Sequence, residues 1–235
     1  MCTVSFVRSG EKIIITSNRD EQVLRPAIPP KNYLQDNKNI VFPKDPKAGG
    51  TWFAIDEHAN VLVLLNGAAE KHIWNPPYRM SRGLIVLELI GSSSPIVNWE
   101  MIELEGVEPF TLILFEIGQL YQLRWNGSEK LKTNLDAAKN YVWSSSTLYP
   151  KAIREERSEW FNHFLETQPG IDENEMFNFH RYTENEDTQN GLVINRGEKL
   201  KTLSITQAVI DNNKVAMVHH DLIGESQSEH SFIFI

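Results

Sequence analysis

The sequence predicts an α+β protein in which two antiparallel β-sheets pack face to face and helices cover their outer faces. Two observations support this fold class. Strand-like segments form blocks at the start, middle and end of the chain, and helix-like segments separate these blocks. The run 61–65 is apolar at every position, so both faces of this strand must be covered by other layers. A four-layer αββα sandwich satisfies both observations.

The first two strands are expected to form a hairpin. Residues 3–7 are β-branched or aromatic, residues 9–11 are turn-like, and residues 12–16 are strand-like again. The hairpin would return residues 17–20 to the start of the chain, beside Cys2.

The next region combines a proline-rich segment with two more strands. Residues 24–45 contain four prolines and predict a long irregular loop that borders a site. Strands are predicted around Trp52 and over residues 61–65, and the second ends at Asn66. Asn66 either caps the following turn or serves a site.

Capping signals predict helices that begin near Ser81, Ser94 and Asp172. An apolar face opposite charged residues predicts a further helix from Pro150 to Thr167. The last helix ends near His180, which could either approach a substrate anion or complement the helix dipole. The remaining predicted strands are residues 110–115, 119–125, 141–143, 191–195, 203–210, 215–219 and 231–235.

The composition is typical of a globular protein, and we expect one domain over residues 1–235. Of the 235 residues, 41% are hydrophobic and 23% charged, which is sufficient for one sizeable core. No apolar run approaches the ~20 residues that cross a bilayer, and the N-terminus lacks the features of a secretory signal. We therefore expect a cytoplasmic protein without a membrane span.

The charge and motif content argue against several classes of ligand. A formal net charge of −8 disfavours nucleic acid as a partner. No metal site is expected, because adjacent strand residues such as His219 and His220 point to opposite faces. No glycine-rich phosphate loop is present, so we expect no nucleotide cofactor. The sequence does not specify an oligomeric state.

The single cysteine, Cys2, lies where removal of Met1 would place a thiol and a free α-amino group on one residue. Their reference pKa values are ~8.5 and ~8, so the amine can act as base for the sulfur. Arg19 would favour the thiolate, and Asp20 would hold the ammonium or orient Arg19. The alternative is a small residue near a frayed terminus, without a chemical role.

These motifs resemble the NRDE family, also called the transport and Golgi organisation family. The resemblance covers most of the chain and rests on Cys2, on Asn18-Arg19-Asp20-Glu21, on Gly49-Gly50-Thr51-Trp52 and on Asn66-Gly67. The start of the chain is also similar to N-terminal-nucleophile hydrolases of the choloylglycine hydrolase and penicillin acylase type. That similarity implies their specific architecture for the αββα sandwich.

The resemblance implies a set of catalytic residues: Cys2, Arg19, Asp20 and Asn66. Cys2 would attack a non-peptide amide and form a thioester, which water or an amine resolves, and Asn66 would donate to the oxyanion. We expect these residues to converge at one end of the sandwich. The implied substrate-binding residues are Asn18, Trp52, Trp143 and Ser145. Ser145 stands where these hydrolases commonly have Asn, and a hydroxyl offers only one donor.

A second hypothesis is a binding or trafficking protein of the same fold without turnover. Eukaryotic members of the resembling family are linked to Golgi organisation, secretion and haem handling, and a Cys2 thiolate could ligate haem iron. The expected partner is thus a small amide or acyl substrate in the first hypothesis and haem in the second.

Overall fold

The computed structural model describes residues 3–35, 37–168 and 170–234, and within these ranges the strands form two antiparallel sheets. The strands are β1 (Thr3–Ser9), β2 (Lys12–Glu21), β3 (Ile28–Gln35), β4 (Lys38–Lys44), β5 (Phe53–Asp56), β6 (Val61–Asn66), β7 (Phe110–Glu116), β8 (Gln119–Trp125), β9 (Lys130–Leu135), β10 (Tyr141–Ser144), β11 (Lys201–Asp211), β12 (Lys214–Asp221) and β13 (Ser226–Ile233). The helices are α1 (Arg82–Gly91), α2 (Pro95–Met101), α3 (Lys151–Thr167) and α4 (Glu173–Tyr182).

The first sheet contains the predicted N-terminal hairpin. Its strand order is β10-β1-β2-β11-β12-β13. Thr3, the first residue of β1, lies opposite Asn18 of β2 on one side and Ser144 of β10 on the other. The hairpin therefore brings the NRDE-like segment to the end of β1 at which the chain begins.

The second sheet is a seven-stranded meander in the order β3-β4-β5-β6-β7-β8-β9. The prediction of an irregular loop over residues 24–45 is wrong, because β3 and β4 lie there. β3 is an edge strand, and its Pro29 and Pro30 coincide with a register shift between Ile28 and Lys31. Proline is tolerated at such positions, since its missing N–H is not needed by a partner strand.

The sequence prediction differs from the structure at two further strands. β9 was not predicted, because this edge strand is mostly polar and exposed and lacks an apolar alternation. The predicted strand 191–195 is irregular and contributes only an isolated bridge between Asn195 and Lys201.

The helices cover the two outer faces. α1 and α2 pack on β5, β6 and β7, whereas α3 and α4 pack on β10, β2 and β11. The predicted caps are present: the Ser81 side chain accepts from the Gly83 N–H, and Asp172 with Glu175 forms a capping box. The four-layer αββα sandwich is thus confirmed. No helix in the described ranges is long and apolar enough to span a membrane.

Side chains of β1 and β2 alternate between two buried layers. Phe6 and Ile15 pack in the core between the sheets, whereas Val7 and Ile14 pack under α3 and α4. Continuing the alternation along β2, Arg19 falls on the inter-sheet side and Asp20 on the helix side. Arg19 and Asp20, both predicted to be catalytic, therefore lie on opposite faces of the sheet.

Candidate active site

A cavity of about 360 Å³, here called the polar cavity, lies where β2, the end of β6 and the start of α1 meet. Arg19, Trp52 and Asn66 are among its lining residues. Its charged lining residues are three arginines and three carboxylates, namely Arg19, Arg25, Arg82, Glu21, Asp45 and Glu108. The cavity thus offers both signs of charge to a ligand.

Arg19 is buried and fixed on three sides. Its guanidinium lies 4.5 Å from the Trp52 ring centroid, donates from Nη1 to the Arg25 carbonyl at 3.0 Å, and lies 3.6 Å from Asp45 Oδ2. Asp45 also binds Arg25 at 2.8 Å and accepts from the backbone N–H of Lys47. Because these contacts hold the guanidinium, its charge is fixed in a region of low dielectric.

Asn66 ends β6, and its backbone is held from both sides. It lies opposite Phe110 of β7, and its carbonyl accepts from Ser145 Oγ at 2.8 Å. The next residue, Gly67, has φ +84°, and a Cβ there would lie 2.3 Å from Ser146 Oγ. Among the described residues, the Asn66 side chain has no hydrogen-bond partner, so its amide N–H groups can serve a ligand in the polar cavity.

The wall of the polar cavity at α1 depends on two glycines. A Cβ at Gly50 would lie 2.2 Å from the Gly83 carbonyl carbon, and a Cβ at Gly83 would lie 2.8 Å from the Thr51 carbonyl oxygen. The backbones are joined by a Thr51 N–H to Gly83 O hydrogen bond of 3.1 Å. This close approach brings Arg82 to the cavity, where it binds Glu108 at 3.0 Å and where burial lowers its pKa.

Arg19 also lines a second cavity of about 200 Å³, here called the apolar cavity. Most of its other lining residues are apolar and come from residues 23–29 and from Leu203 and Ile223. Ser204 adds a buried hydroxyl that has no hydrogen-bond partner among the described residues. His219 and Asp221 also line it, so the buried cation of Arg19 lies between a charged cavity and a mostly apolar one.

Trp143 and Ser145 lie apart from Arg19, in the lining of a third cavity of about 280 Å³. This basic cavity, as we call it, is also lined by Arg124, Lys151 and Arg154. The hydrogen bond from Ser145 to the Asn66 carbonyl joins its wall to that of the polar cavity.

Asp20 is buried in a different network on the helix side. It accepts from Tyr149 Oη and from Thr202 Oγ1, both at 2.6 Å. The Tyr149 ring lies 3.6 Å from the guanidinium of Arg157, which in turn donates to Thr3 Oγ1 at 2.6 Å. The network thus reaches the residue that follows Cys2 in the chain. Cys2 itself lies outside the described residues.

Asn18 is completely buried and lies in the lining of none of these three cavities. Its Nδ2 donates to the carbonyls of His180 and Leu192, and its Oδ1 binds His180 Nδ1. His180 Nε2 lies 2.7 Å from Ser5 Oγ. Burial lowers the pKa of His180 to about 3, so the imidazole is neutral near pH 7.

Tyr149, Arg157 and Thr202 were not predicted from the sequence. A signal existed for Arg157, which lies on the apolar face of α3, four residues before the buried Phe161. An arginine on such a face needs polar partners in the interior. No comparable signal marked Tyr149 or Thr202.

The described residues contain no group of three or more His, Cys, Asp or Glu side chains that could hold a metal ion. The chemistry available in the described part is therefore that of a fixed cation, an amide side chain without a hydrogen-bond partner, and four arginine–carboxylate pairs.

The fold is that of the N-terminal-nucleophile hydrolases. The N-acylethanolamine-hydrolyzing acid amidase ortholog of Caenorhabditis elegans superimposes with a TM-score of 0.62 and 10% identity, covering 88% of this chain and 92% of that one. A variant of the conjugated bile acid hydrolase of Clostridium perfringens gives a TM-score of 0.60 and 8% identity, covering 100% of this chain and 97% of that one. At these identities the similarity establishes the fold alone.

The sequence itself identifies the family. The chain belongs to the transport and Golgi organisation 2 family, whose model matches residues 1–220. No curated protein matches the sequence.

Proposed function

We propose that the protein, once Met1 is removed, hydrolyses a non-peptide amide or transfers its acyl group through the thiol of Cys2. The observation that carries this proposal is the polar cavity, which contains a buried, fixed Arg19 and the uncommitted amide of Asn66. A fixed cation favours a thiolate nearby, and an amide donor stabilises a developing oxyanion.

In the proposed reaction the α-amino group of Cys2 accepts the thiol proton, and the sulfur attacks the carbonyl carbon of the amide. The carbonyl oxygen becomes an oxyanion that accepts from the Asn66 side chain. When the tetrahedral intermediate collapses, the C–N bond breaks, and the departing amine takes the proton from the α-ammonium group. A thioester remains on Cys2.

Water or an acceptor amine then resolves the thioester. The free α-amino group accepts a proton from the nucleophile as it attacks, and the C–S bond breaks to return the thiol. With water the products are a carboxylic acid and free enzyme, and with an amine a new amide forms. The same residues serve both outcomes.

The substrate class follows from the two cavities that Arg19 lines. An amphiphilic N-acyl amide would place its polar amine portion in the polar cavity and its acyl portion in the apolar cavity. The indole N–H of Trp52 is buried without a partner among the described residues and lines the polar cavity, where it could donate to the substrate. The two structural neighbours are named for an N-acylethanolamine and a conjugated bile acid, which makes these compounds the first to test.

We further propose structural roles for Asp20 and Asn18, two residues of the NRDE-like segment. Asp20 would hold the N-terminal end of β1 through Tyr149 and Arg157. Asn18 would fix α4 to the sheet through His180, without touching the substrate.

The test is turnover of an N-acylethanolamine, a conjugated bile acid and a simple N-acyl amino acid, followed by mass spectrometry of the released acid. Protein whose mass shows Met1 removal should turn over at least one, and Cys2→Ala should not. Asn66→Ala should reduce kcat by about 100-fold, as expected for loss of an oxyanion donor. Asn98→Ala is the control: this partly exposed amide of α2 donates to the Glu88 carbonyl and lies in the lining of neither cavity.

Inactivity of the processed protein toward all three amides would count against the proposal. In that case a haem titration distinguishes the non-catalytic alternative. A Soret shift that Cys2→Ala abolishes would establish haem binding through the thiolate.

A further inference from the structure

We propose that the basic cavity binds a small oxyanion, the carboxylate or phosphate end of an organic molecule, with Arg124 as its principal ligand. This inference does not rest on the proposed function, because it does not involve Cys2. The cavity lies between the end of β10, the end of β6 and the start of α3.

Arg124 forms no ion pair with the described residues, and Glu70 acts on it only at longer range. It projects from β8, where it lies opposite Thr111 of β7, and it is only partly exposed. Within the described part of the chain its buried Nε has no hydrogen-bond partner, and no carboxylate lies within ion-pair distance of its guanidinium. A buried donor on a charged group costs free energy unless a ligand satisfies it.

The other charged side chains around the cavity leave it with an excess of positive charge. Arg154 and Lys151 also line it, and burial, together with the charge of Arg154, lowers the pKa of Arg124, whereas the charge of Glu70 acts in the opposite direction. The carboxylates present are Glu70 and Glu155, which bind Arg154 and Lys151 and have largely exposed side chains. Three cations thus face two carboxylates at the rim.

The neutral polar groups of the lining cannot replace an anion. Four of their hydroxyls donate to backbone carbonyls: Ser145 to Asn66, Ser146 to Glu70, Thr111 to Gly67 and Ser158 to Arg154. The fifth hydroxyl, that of Ser144, lies 3.4 Å from Thr3 Oγ1. The Trp143 N–H is donated to Gln122. The charged donors of the lining are those of the basic side chains, which favours an oxyanion over a neutral polar molecule.

The experiment is isothermal titration calorimetry at low ionic strength with benzoate, phenyl phosphate and the neutral isostere benzamide. At least one of the two anions should bind with a dissociation constant of about 1 mM or tighter, and added NaCl should weaken binding. The stronger of the two identifies the class of oxyanion. Arg124→Gln should weaken binding about tenfold or more, as expected for loss of a charged hydrogen bond.

Arg8→Gln is the matched control, because Arg8 lies near the C-terminal end of β1, where it forms an exposed pair with Glu11. It should leave binding unchanged. If Arg124→Gln does not fold, Arg154→Gln carries the same expectation, since it removes a second cation from the lining. Equal binding of benzamide, absence of binding by both anions, or unchanged binding in the folded arginine variant would overturn the inference. The Cys2→Ala protein should bind as wild type does, whatever its activity.

Discussion

His180 should make the protein sensitive to mild acid. Its imidazole has no solvent exposure, and the surrounding hydrogen bonds fix its tautomer. Asn18 uses its Nδ2 to donate to two carbonyls, so its Oδ1 accepts from His180 Nδ1–H, and Nε2 accepts from the Ser5 hydroxyl. A second proton would have to enter a buried site near Arg157, which is why the pKa falls to about 3.

The sign and size of the effect follow from linkage. An unfolded histidine has a pKa of ~6.5, so between pH 6.5 and about 3 the unfolded state binds a proton that the folded state does not. The contribution of His180 to the free energy of unfolding is therefore complete above pH 6.5 and is lost as the pH falls. The slope approaches ~1.4 kcal/mol per pH unit, which gives about 2 kcal/mol between pH 5.5 and pH 4.

The assay is urea unfolding of wild type and His180→Gln at a series of pH values in this range. Glutamine can still donate to Asn18 and accept from Ser5, but it does not titrate. The difference in free energy of unfolding between the two proteins should shrink by about 2 kcal/mol from pH 5.5 to pH 4. His219, whose pKa burial lowers to about 4, titrates in both proteins and cancels. A difference that stays constant with pH would refute the reasoning.

Three further perturbations test the site. In Arg19→Gln the pH midpoint of Cys2 alkylation by iodoacetamide should rise by about one pH unit, and an unchanged midpoint would rule out an electrostatic role for Arg19. Gly83→Ala should lower the free energy of unfolding in urea by about 2 kcal/mol, because its Cβ would meet the backbone of Thr51; unchanged stability would show that α1 shifts freely. Ser145→Ala should cost about 1 kcal/mol of stability and lower kcat more than it changes KM, since it frees the Asn66 carbonyl, whereas a change in KM alone would place Ser145 in substrate binding.

The helices were the most predictable part of the fold, because their signals are local. Ser81 and Asp172 mark helix starts, and the backbone N–H groups that they cap lie within the next three residues. The strands β3 and β4 were missed for a physical reason. Pro29 and Pro30 lie where a sheet tolerates proline, in an edge strand with a register shift, and the sequence does not reveal which strand is an edge.

In the candidate site, too, the local features could be predicted from the sequence and the long-range contacts could not. That Arg19 and Asn66 line one cavity agrees with two local patterns, a hairpin that returns to the chain start and a buried strand that ends in a polar residue. The partners of Asp20 are Tyr149 and Thr202, which lie 129 and 182 residues away in the sequence. Only the pairing of β2 with β11 and the packing of the connection into α3 bring them together, and no periodicity or motif reports those contacts.

The central claim is that Cys2 is an N-terminal nucleophile, and the most direct measurement is the intact mass of the protein after brief reaction with an activated acyl ester. Protein that has lost Met1 should gain the mass of one acyl group, located at Cys2 by peptide mapping and released by hydroxylamine as a thioester. Protein that retains Met1, and the Cys2→Ala variant, should gain none. Equal acylation of the two forms, or acylation elsewhere in the chain, would contradict the claim.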